Sequence, residues 1–337
     1  MTLTAQSINL STLANAKHTR LVSFENSNSF LKRHDSEGSL VIAAGHRENP
    51  SVHAHTDDEN PLVILEGQRP RWYGARVCQG DHVSNSHRSK IETARESFAA
   101  CLRPSDDGRD LIVIASHWDK PALESLKVAL QGQYKVIRNG VKIQCAVTQV
   151  IPTMEGLGSY HRAKDKLKDG STLLIELGYG TAEIWFIDEM GRIVDGAPVT
   201  RLGVINLVKA IADDPTVRAL TQDNSGTVNL SAISQALQQD TLGKISAANW
   251  QAVKAKYASE FLKDFQGYLR TQHAFHMQSA SNLVLTGGGA ALLSSIQPKL
   301  SQVFIVPRQP QTASVRGAYE RQMSNVGQTG NSDKIVR

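Results

Sequence analysis

The chain lacks most of what would mark a secreted, metal-stapled or membrane-spanning protein. Its 337 residues include only three cysteines, Cys78, Cys101 and Cys145. They are odd in number, widely spaced and form no CxxC pair, which argues against a disulfide framework or a zinc site and fits a reducing cytoplasm. No apolar run approaches the ~20 residues that a membrane span needs. The first residues, MTLTAQSINLSTLANAK, lack a basic start followed by an apolar core, so no secretory signal is expected. A dense basic stripe is missing as well. The formal charge is +5, from 37 basic and 32 acidic residues. The nearest basic cluster, HVSNSHRSK (82–90), is thin and reads as a solvated loop, so direct DNA binding is not expected.

What remains is an ordinary globular composition, 40% hydrophobic with 25 glycines. At ~150 residues per domain the length suggests two domains. Residues 1–18 are polar and expected to be flexible. Strands are expected at 21–24, 40–44, 62–65 and 111–115, with an exposed loop at 48–61. Helical periodicity runs over 89–102 and 121–131. Asn139-Gly140 predicts a hairpin between 134–137 and 141–150, because this dipeptide tolerates left-handed dihedrals. The second half opens with strands at 173–177, 181–187 and 193–198. Helices follow near 203–213, 229–238 and 247–277, then a strand at 283–285, a helix, a strand at 303–306 and a short helix near 312–322. The tail from 324 is polar. This mixture argues for an α/β class. LVSFENSNSFLKR (21–33) and LLIELGYGTAEIWF (173–186) share a grammar of apolar strand, acid, polar turn and second strand. One such unit per half suggests a duplicated architecture.

Two motifs carry the chemistry. ELGYGTAE (176–183) sets two glycines at a strand end. Glycine permits positive φ and close backbone approach, and consecutive amides there can form an anion site. Thr181 adds a hydroxyl. Glu176, at the strand end, can hold Mg²⁺ through waters. A Gly-rich hairpin with no ligand would look the same. The second motif, LVLTGGGA (283–290), is a buried strand running into Gly287, Gly288 and Gly289 before a helix. A helix N-terminus or a close ligand approach explains three adjacent glycines there, although a structural loop also fits.

Together these residues resemble the actin-like ATPases, and within them the ParM/StbA type of bacterial filament-forming proteins. Residues 176–183 are similar to the family's second phosphate loop and 283–290 to its adenosine motif. Arg201-Leu202-Gly203 opens a helix similar to the one beside the nucleoside. VIP (150–152) with EGLGSY (155–160) is similar to the first connecting segment, and ASVRGAY (313–319) to the second connecting helix. The motifs occur in family order across about 20–322. The resemblance implies the α/β fold of the actin, heat-shock chaperone and sugar-kinase superfamily, with two related domains around a nucleotide cleft. Domain I would cover 19–160 and domain II 161–311, a helix at 312–323 would return to domain I, and 324–337 would be a flexible tail. It implies ATP, or GTP, with Mg²⁺. The nucleotide would be held by Ser27, Asn28, Ser29 and Lys32, by Gly178, Tyr179, Gly180 and Thr181, and by Gly203, Gly287, Gly288, Gly289 and Ala290. Glu25 and Glu176 would take the metal. Glu155, the only acid between 150 and 160, is the candidate for orienting water toward the γ-phosphate. A surface-loop glutamate is the alternative.

The departures from the family pattern are specific. The first phosphate loop is usually Asp-x-Gly-x-x-x-x-Lys; here Glu25 and Lys32 keep the acid and the lysine, and Ser27 replaces the glycine. Glu176 likewise replaces an aspartate, which moves the carboxylate roughly 1.5 Å outward. An octahedral Mg²⁺ site tolerates that poorly unless waters intervene. Nucleotide binding is therefore a firmer expectation than hydrolysis. The implied role is a nucleotide-regulated cytoplasmic filament of identical subunits, segregating plasmid DNA through a DNA-binding adaptor. A cell-shape filament with weak or lost ATPase is the first alternative. A small-molecule kinase of the same superfamily, with Asp119 as base in SHWD (116–119), is the second. His273-x-x-His276 has no carboxylate near it in sequence and reads as helix surface.

Overall fold

The computed structural model describes residues 18–27, 29–50, 55–77, 89–222, 226 and 228–332. The chain forms two compact units, one of Met1–Arg162 with Ser314–Arg337 and one of Ala163–Ala313. Most of the N-terminal stretch expected to be flexible, the end of the tail, Asn28, Cys78 and most of 82–90 lie outside the described residues.

The first unit is built on strands β1 (Thr19–Asn26), β2 (Phe30–Asp35), β3 (Gly38–Ala43), β4 (His46–Glu48), β5 (Leu62–Leu65), β6 (Arg71–Tyr73), β7 (Asp110–His117), β8 (Gly132–Arg138) and β9 (Val141–Met154). Among the described residues they make one sheet in the order β3-β2-β1-β7-β9-β8-β5-β6-β4. Helices α1 (Ala94–Ala100), α2 (Ala122–Leu130) and α3 (Leu157–Ala163) complete it, with the C-terminal helix Ala313–Ser332. β7 lies parallel to both β1 and β9. It is covered on both faces, which is why it reads as a continuous apolar run. One face carries Phe24, Phe98 and Tyr134, packed ring edge to ring face at 5.1 and 5.4 Å. Leu21, Ile112 and Ile114 face the C-terminal helix at Ala318 and Tyr319. Asn139 and Gly140 turn at φ 52° and 82°, as the hairpin requires.

One polar cluster lies inside this unit. Arg33 is 0% exposed. Its guanidinium donates to both Asp106 oxygens at 2.5 and 2.8 Å, to Asp35 Oδ2 at 2.7 Å and to the Cys101 carbonyl at 2.9 Å. Arg20 and Arg103 close the network from outside, on Asp106 and on Asp35 and Glu37. A buried charge is tolerated only when paired in this way. Burial would raise the Asp106 carboxyl, but the bonds and charge of Arg33 outweigh it and hold it below its usual value.

The second unit has strands β10 (Thr172–Leu177), β11 (Ala182–Ile187), β12 (Ile193–Val199) and β13 (Asn282–Thr286). Its helices are α4 (Val204–Ala212), α5 (Pro215–Thr221), α6 (Leu230–Ala236), α7 (Ala247–Gln272), α8 (Ala274–Ser279) and α9 (Gly288–Ile296). The sheet order is β12-β11-β10-β13, with β13 parallel to β10 and the other pairs antiparallel. The set β3-β2-β1-β7 of the first unit has the same order and the same directions. The echo between 21–33 and 173–186 is thus a repeated strand arrangement. Leu173, Ile175, Ile184, Val208, Trp250 and Phe265 lie in this unit's core.

Several sequence expectations need correction. Residues 303–306 make no sheet strand; only Ile305 bridges, parallel to Val284. The loop expected at 48–61 begins on β4 and returns inward at Asn60, which is buried because it accepts from the Arg76 amide and donates to Asp57. β6 and α5 went unread. Asp214 and Pro215 were its signals, since Asp214 accepts from the Thr216 and Val217 amides and Pro215 opens the first turn. The helix expected near 312–322 continues to Ser332, with Ser324 bonding back to the Glu320 carbonyl.

Replacing Arg33 by methionine should strand Asp35 and Asp106 and cost about 3–5 kcal/mol. The pH dependence tests the cause. A depressed carboxyl stabilises the fold above its unfolded value, given as 3.8 for Asp, and that stability is lost as pH falls through the folded value. Denaturant melts at pH 7 and pH 3 should show a marked acid loss in the wild type and a smaller one in Arg33→Met.

Candidate functional site

In the first unit, β1 and β2 place Glu25 directly opposite Lys32. Their side chains meet at 2.6 Å, and both residues are buried. Ser314, from the C-terminal helix, donates its hydroxyl to the other Glu25 oxygen. Burial would raise the Glu25 carboxyl. The charge and hydrogen bond of Lys32, the Ser314 bond and the charge of Lys90 outweigh it and hold it low. Between the strands, Ser27 is turned inward on the loop itself. Its hydroxyl donates to the Phe30 carbonyl at 2.7 Å and accepts from the Phe30 amide at 3.1 Å. The Ser29 carbonyl accepts from the Ala44 amide. The serine that replaces a glycine thus shapes this turn.

Glu155 is not a surface-loop glutamate. It is buried, its amide donates to the His117 carbonyl at 3.2 Å, and its Oε1 accepts from Lys90 Nζ at 2.7 Å. Lys90 is held at the backbone: its carbonyl accepts from Asn26 Nδ2 at 2.7 Å, one residue beyond Glu25. The structure therefore gathers Glu25, Lys32, Lys90, Glu155 and Ser314 in one unit. Lys90 was missed, because its sequence context reads as a thin basic loop. Asp119 donates its amide to His117 Nδ1 at 2.9 Å. Burial and the charge of Lys90 push the His117 imidazole below its usual value.

In the second unit the turn at 178–181 is closed by the Gly178 amide on the Thr181 carbonyl at 2.8 Å. Neither Gly178 nor Gly180 has positive φ, so the expected dihedral reason does not apply. Close packing does. A Cβ on Gly203 would stand 2.3 Å from the Gly180 carbonyl carbon and 2.5 Å from the Tyr179 oxygen. The first amides of α4, from Val204 and Ile205, donate to the carbonyls of Gly178 and Tyr179. The turn is thereby locked onto the helix.

The three glycines before α9 separate by role. Gly287 has φ 91°, and its Cβ would meet the Leu177 carbonyl at 2.6 Å. Gly289 would strike Leu177 and Val204 side chains at 2.5 and 2.7 Å. Both make room for protein. Gly288 is different, with only Gln311 Cγ at 3.9 Å. It opens the first turn of α9, whose N-cap, Gly287, has no side chain to satisfy it. First-turn amides lack intrahelical partners and carry the positive end of the helix dipole, so this turn is suited to an anion. Ala290, next in the turn, is buried in the core.

Glu176 faces Glu183 across β10 and β11, and Thr286 on its other side. Thr181 donates its hydroxyl to Glu183 at 2.9 Å. Among the described residues no group of three or more His, Cys, Asp or Glu is placed to hold a metal by itself. Mg²⁺ at phosphates commonly uses one or two carboxylates and waters, and Glu176 beside Glu183 offers hard oxygens of that kind. Glu25 fits less well, being committed to Lys32 and Ser314. His276 does have a carboxylate near it, Asp195 at 3.4 Å, while stacking on Phe186 at 4.4 Å.

No protein-family profile matches the chain, and no curated protein matches it. Solved structures do. Ta0583, an archaeal actin homologue, superposes with a TM-score of 0.69 at 14% identity, over 90% of this chain and 99% of that one. ParM of Bacillus thuringiensis, solved with ATP, gives 0.62 at 16% identity over 93% and 100%. ParM from a 15-stranded filament of Clostridium botulinum gives 0.62 at 13% identity over 91% and 99%. The chain has the α/β actin-like fold. Among the described residues no helix is long and apolar enough to cross a membrane.

The glycines predict a split result. Gly203→Ala pushes a methyl into backbone and should cost about 1–3 kcal/mol. Gly288→Ala meets open space and replaces a poor helix former, so it should leave stability unchanged or raise it by up to about 1 kcal/mol. Thermal melts of the two variants beside wild type check both.

Proposed function

We propose that this chain binds ATP with Mg²⁺ and assembles with copies of itself into nucleotide-regulated filaments. The observation that carries nucleotide binding is the N-terminal turn of α9. Gly288 there has no packing reason to be glycine, while its neighbours do. The phosphates would take the amides of Gly288, Gly289 and Ala290 and approach the turn at 178–181. Glu176 would hold Mg²⁺ through waters; in the first unit Ser29 and Lys32 are the phosphate contacts that the resemblance implies. Mg²⁺ supplies charge neutralisation on the phosphates when bound.

Self-assembly rests on the fold shared with the filament-forming ParM of Clostridium botulinum. A head-to-tail contact that does not close generates an open filament. Plasmid segregation through a DNA-binding adaptor in the cytoplasm is the narrower role that the resemblance carries. A cell-shape filament with slow turnover is the second reading. It is favoured by the Glu25–Lys32 pair, which occupies the lysine expected to meet phosphate, and by Ser27, whose hydroxyl is spent on its own turn.

Sedimentation with ATP, GTP, ADP and no nucleotide, with phosphate release followed in parallel, is the deciding experiment. Pellet with ATP or GTP is expected; no pellet under any condition would sink the filament reading. Polymer without phosphate release would select the second reading. Gly288→Asp tests the pocket. An acid in the first turn of a helix is favourable by about 0.3–1 kcal/mol, so the variant should fold, yet its carboxylate repels phosphate. Loss of ADP binding with an undiminished melting temperature is expected. Wild-type affinity would refute the assigned turn.

A further inference from the structure

We infer that Lys90 is a positioning residue for Glu155, and that the two act as one unit in phosphate release. The inference rests on the hydrolysis reading above and adds a residue to it.

The geometry is specific. The Lys90–Glu155 contact of 2.7 Å joins side chains that are 16% and 7% exposed, so it is largely removed from solvent screening. Both ends are fixed at the backbone. Asn26 Nδ2 is shared between the Lys90 carbonyl at 2.7 Å and Thr93 Oγ1 at 2.9 Å. Thr93 in turn donates to the Ser89 carbonyl at 3.1 Å. Asn26 ends β1, beside Glu25, so the backbone of Lys90 is tied to the strand that begins the first phosphate-loop candidate. On the other side, the Glu155 amide is tied to His117 at the end of β7. A long side chain held this way loses most of its rotamer freedom, a cost that a surface pair does not repay. The arrangement is better explained as fixing the carboxylate's direction.

In hydrolysis a water oxygen bonds to the terminal phosphorus while the bond to the diphosphate oxygen breaks, and the water proton ends on inorganic phosphate. Such a step needs the water held in line. With its Oε1 bound to Lys90, Glu155 presents Oε2 as its less committed acceptor for a water. Lys90 therefore selects which oxygen works and where it points.

The test is a double-mutant cycle on the full chain, with ATP as substrate and ADP as binding probe. Lys90→Met and Glu155→Gln, assayed well below their melting temperatures, should each lower the phosphate-release kcat by about 10²-fold, with ADP affinity little changed. The double variant should be no slower than the slower single, because residues that act as a unit are non-additive. Lys90→Arg, which keeps the charge, should recover much of the rate. Additive losses in the double variant, or a Lys90→Met loss that falls on ADP affinity instead of kcat, would overturn the inference while leaving the hydrolysis reading intact. A wild-type chain that binds nucleotide but releases no phosphate would overturn both.

Discussion

An arginine that never meets water sets the geometry of the first unit. Arg33 binds Asp35 on its own strand, and Asp106 and the Cys101 carbonyl on the segment that follows α1. Side chains alternate along a strand, so Arg33 and Lys32 lie on opposite faces of β2. A one-residue slip would exchange them, burying the wrong cation on each side. With Arg33 held by two carboxylates, that slip is costly. Lys32 is thereby fixed opposite Glu25, and Glu25 within reach of Ser314. The candidate site at this strand end inherits its register from a charge cluster on the opposite face.

The second unit holds its turn in a different way. Its phosphate-loop candidate is positioned by contacts between backbones. Gly203 seats against Gly180, Gly287 against Leu177, and the first amides of α4 bind the turn's carbonyls. Each glycine removes a side chain where two chain segments must touch, the interior counterpart of close ligand approach. A glycine-rich motif therefore carries two messages that the sequence does not separate. Of Gly178, Gly180, Gly203, Gly287, Gly288 and Gly289, only Gly180 and Gly288 meet nothing closer than 3.9 Å. Gly180 also lacks a positive φ, so at Gly180 and Gly288 neither packing nor dihedral explains the glycine.

This sorts what was legible. Strand 111–115 and the Asn139-Gly140 hairpin were plain, because burial on both faces and positive φ leave local signatures. The repeated strand order was legible too, through the shared grammar of 21–33 and 173–186. Lys90 was not. Its partner lies at Glu155, and nothing within a turn of Lys90 in sequence announces a buried contact. β6 was hidden for a related reason: three residues are too few for alternation to show. Ser27 reads in the sequence only as a lost glycine, whereas its hydroxyl builds the turn through Phe30.

The duplicated strand ends also diverge in charge, and the divergence has a consequence for metal binding. Glu25 and Glu176 hold equivalent places, at the ends of β1 and β10. Across from Glu25 stands Lys32; across from Glu176 stands Glu183. The first pair is neutral as a unit and is satisfied within the protein. The second sets Glu183, which accepts from the Thr181 hydroxyl, opposite Glu176. A divalent ion at Glu25 would have to displace an ammonium already at 2.6 Å, which makes that strand end a poor metal site. The two glutamates therefore hold equivalent places in different surroundings. In the first unit the carboxylate serves a salt bridge, and in the second it stands across the sheet from another acid.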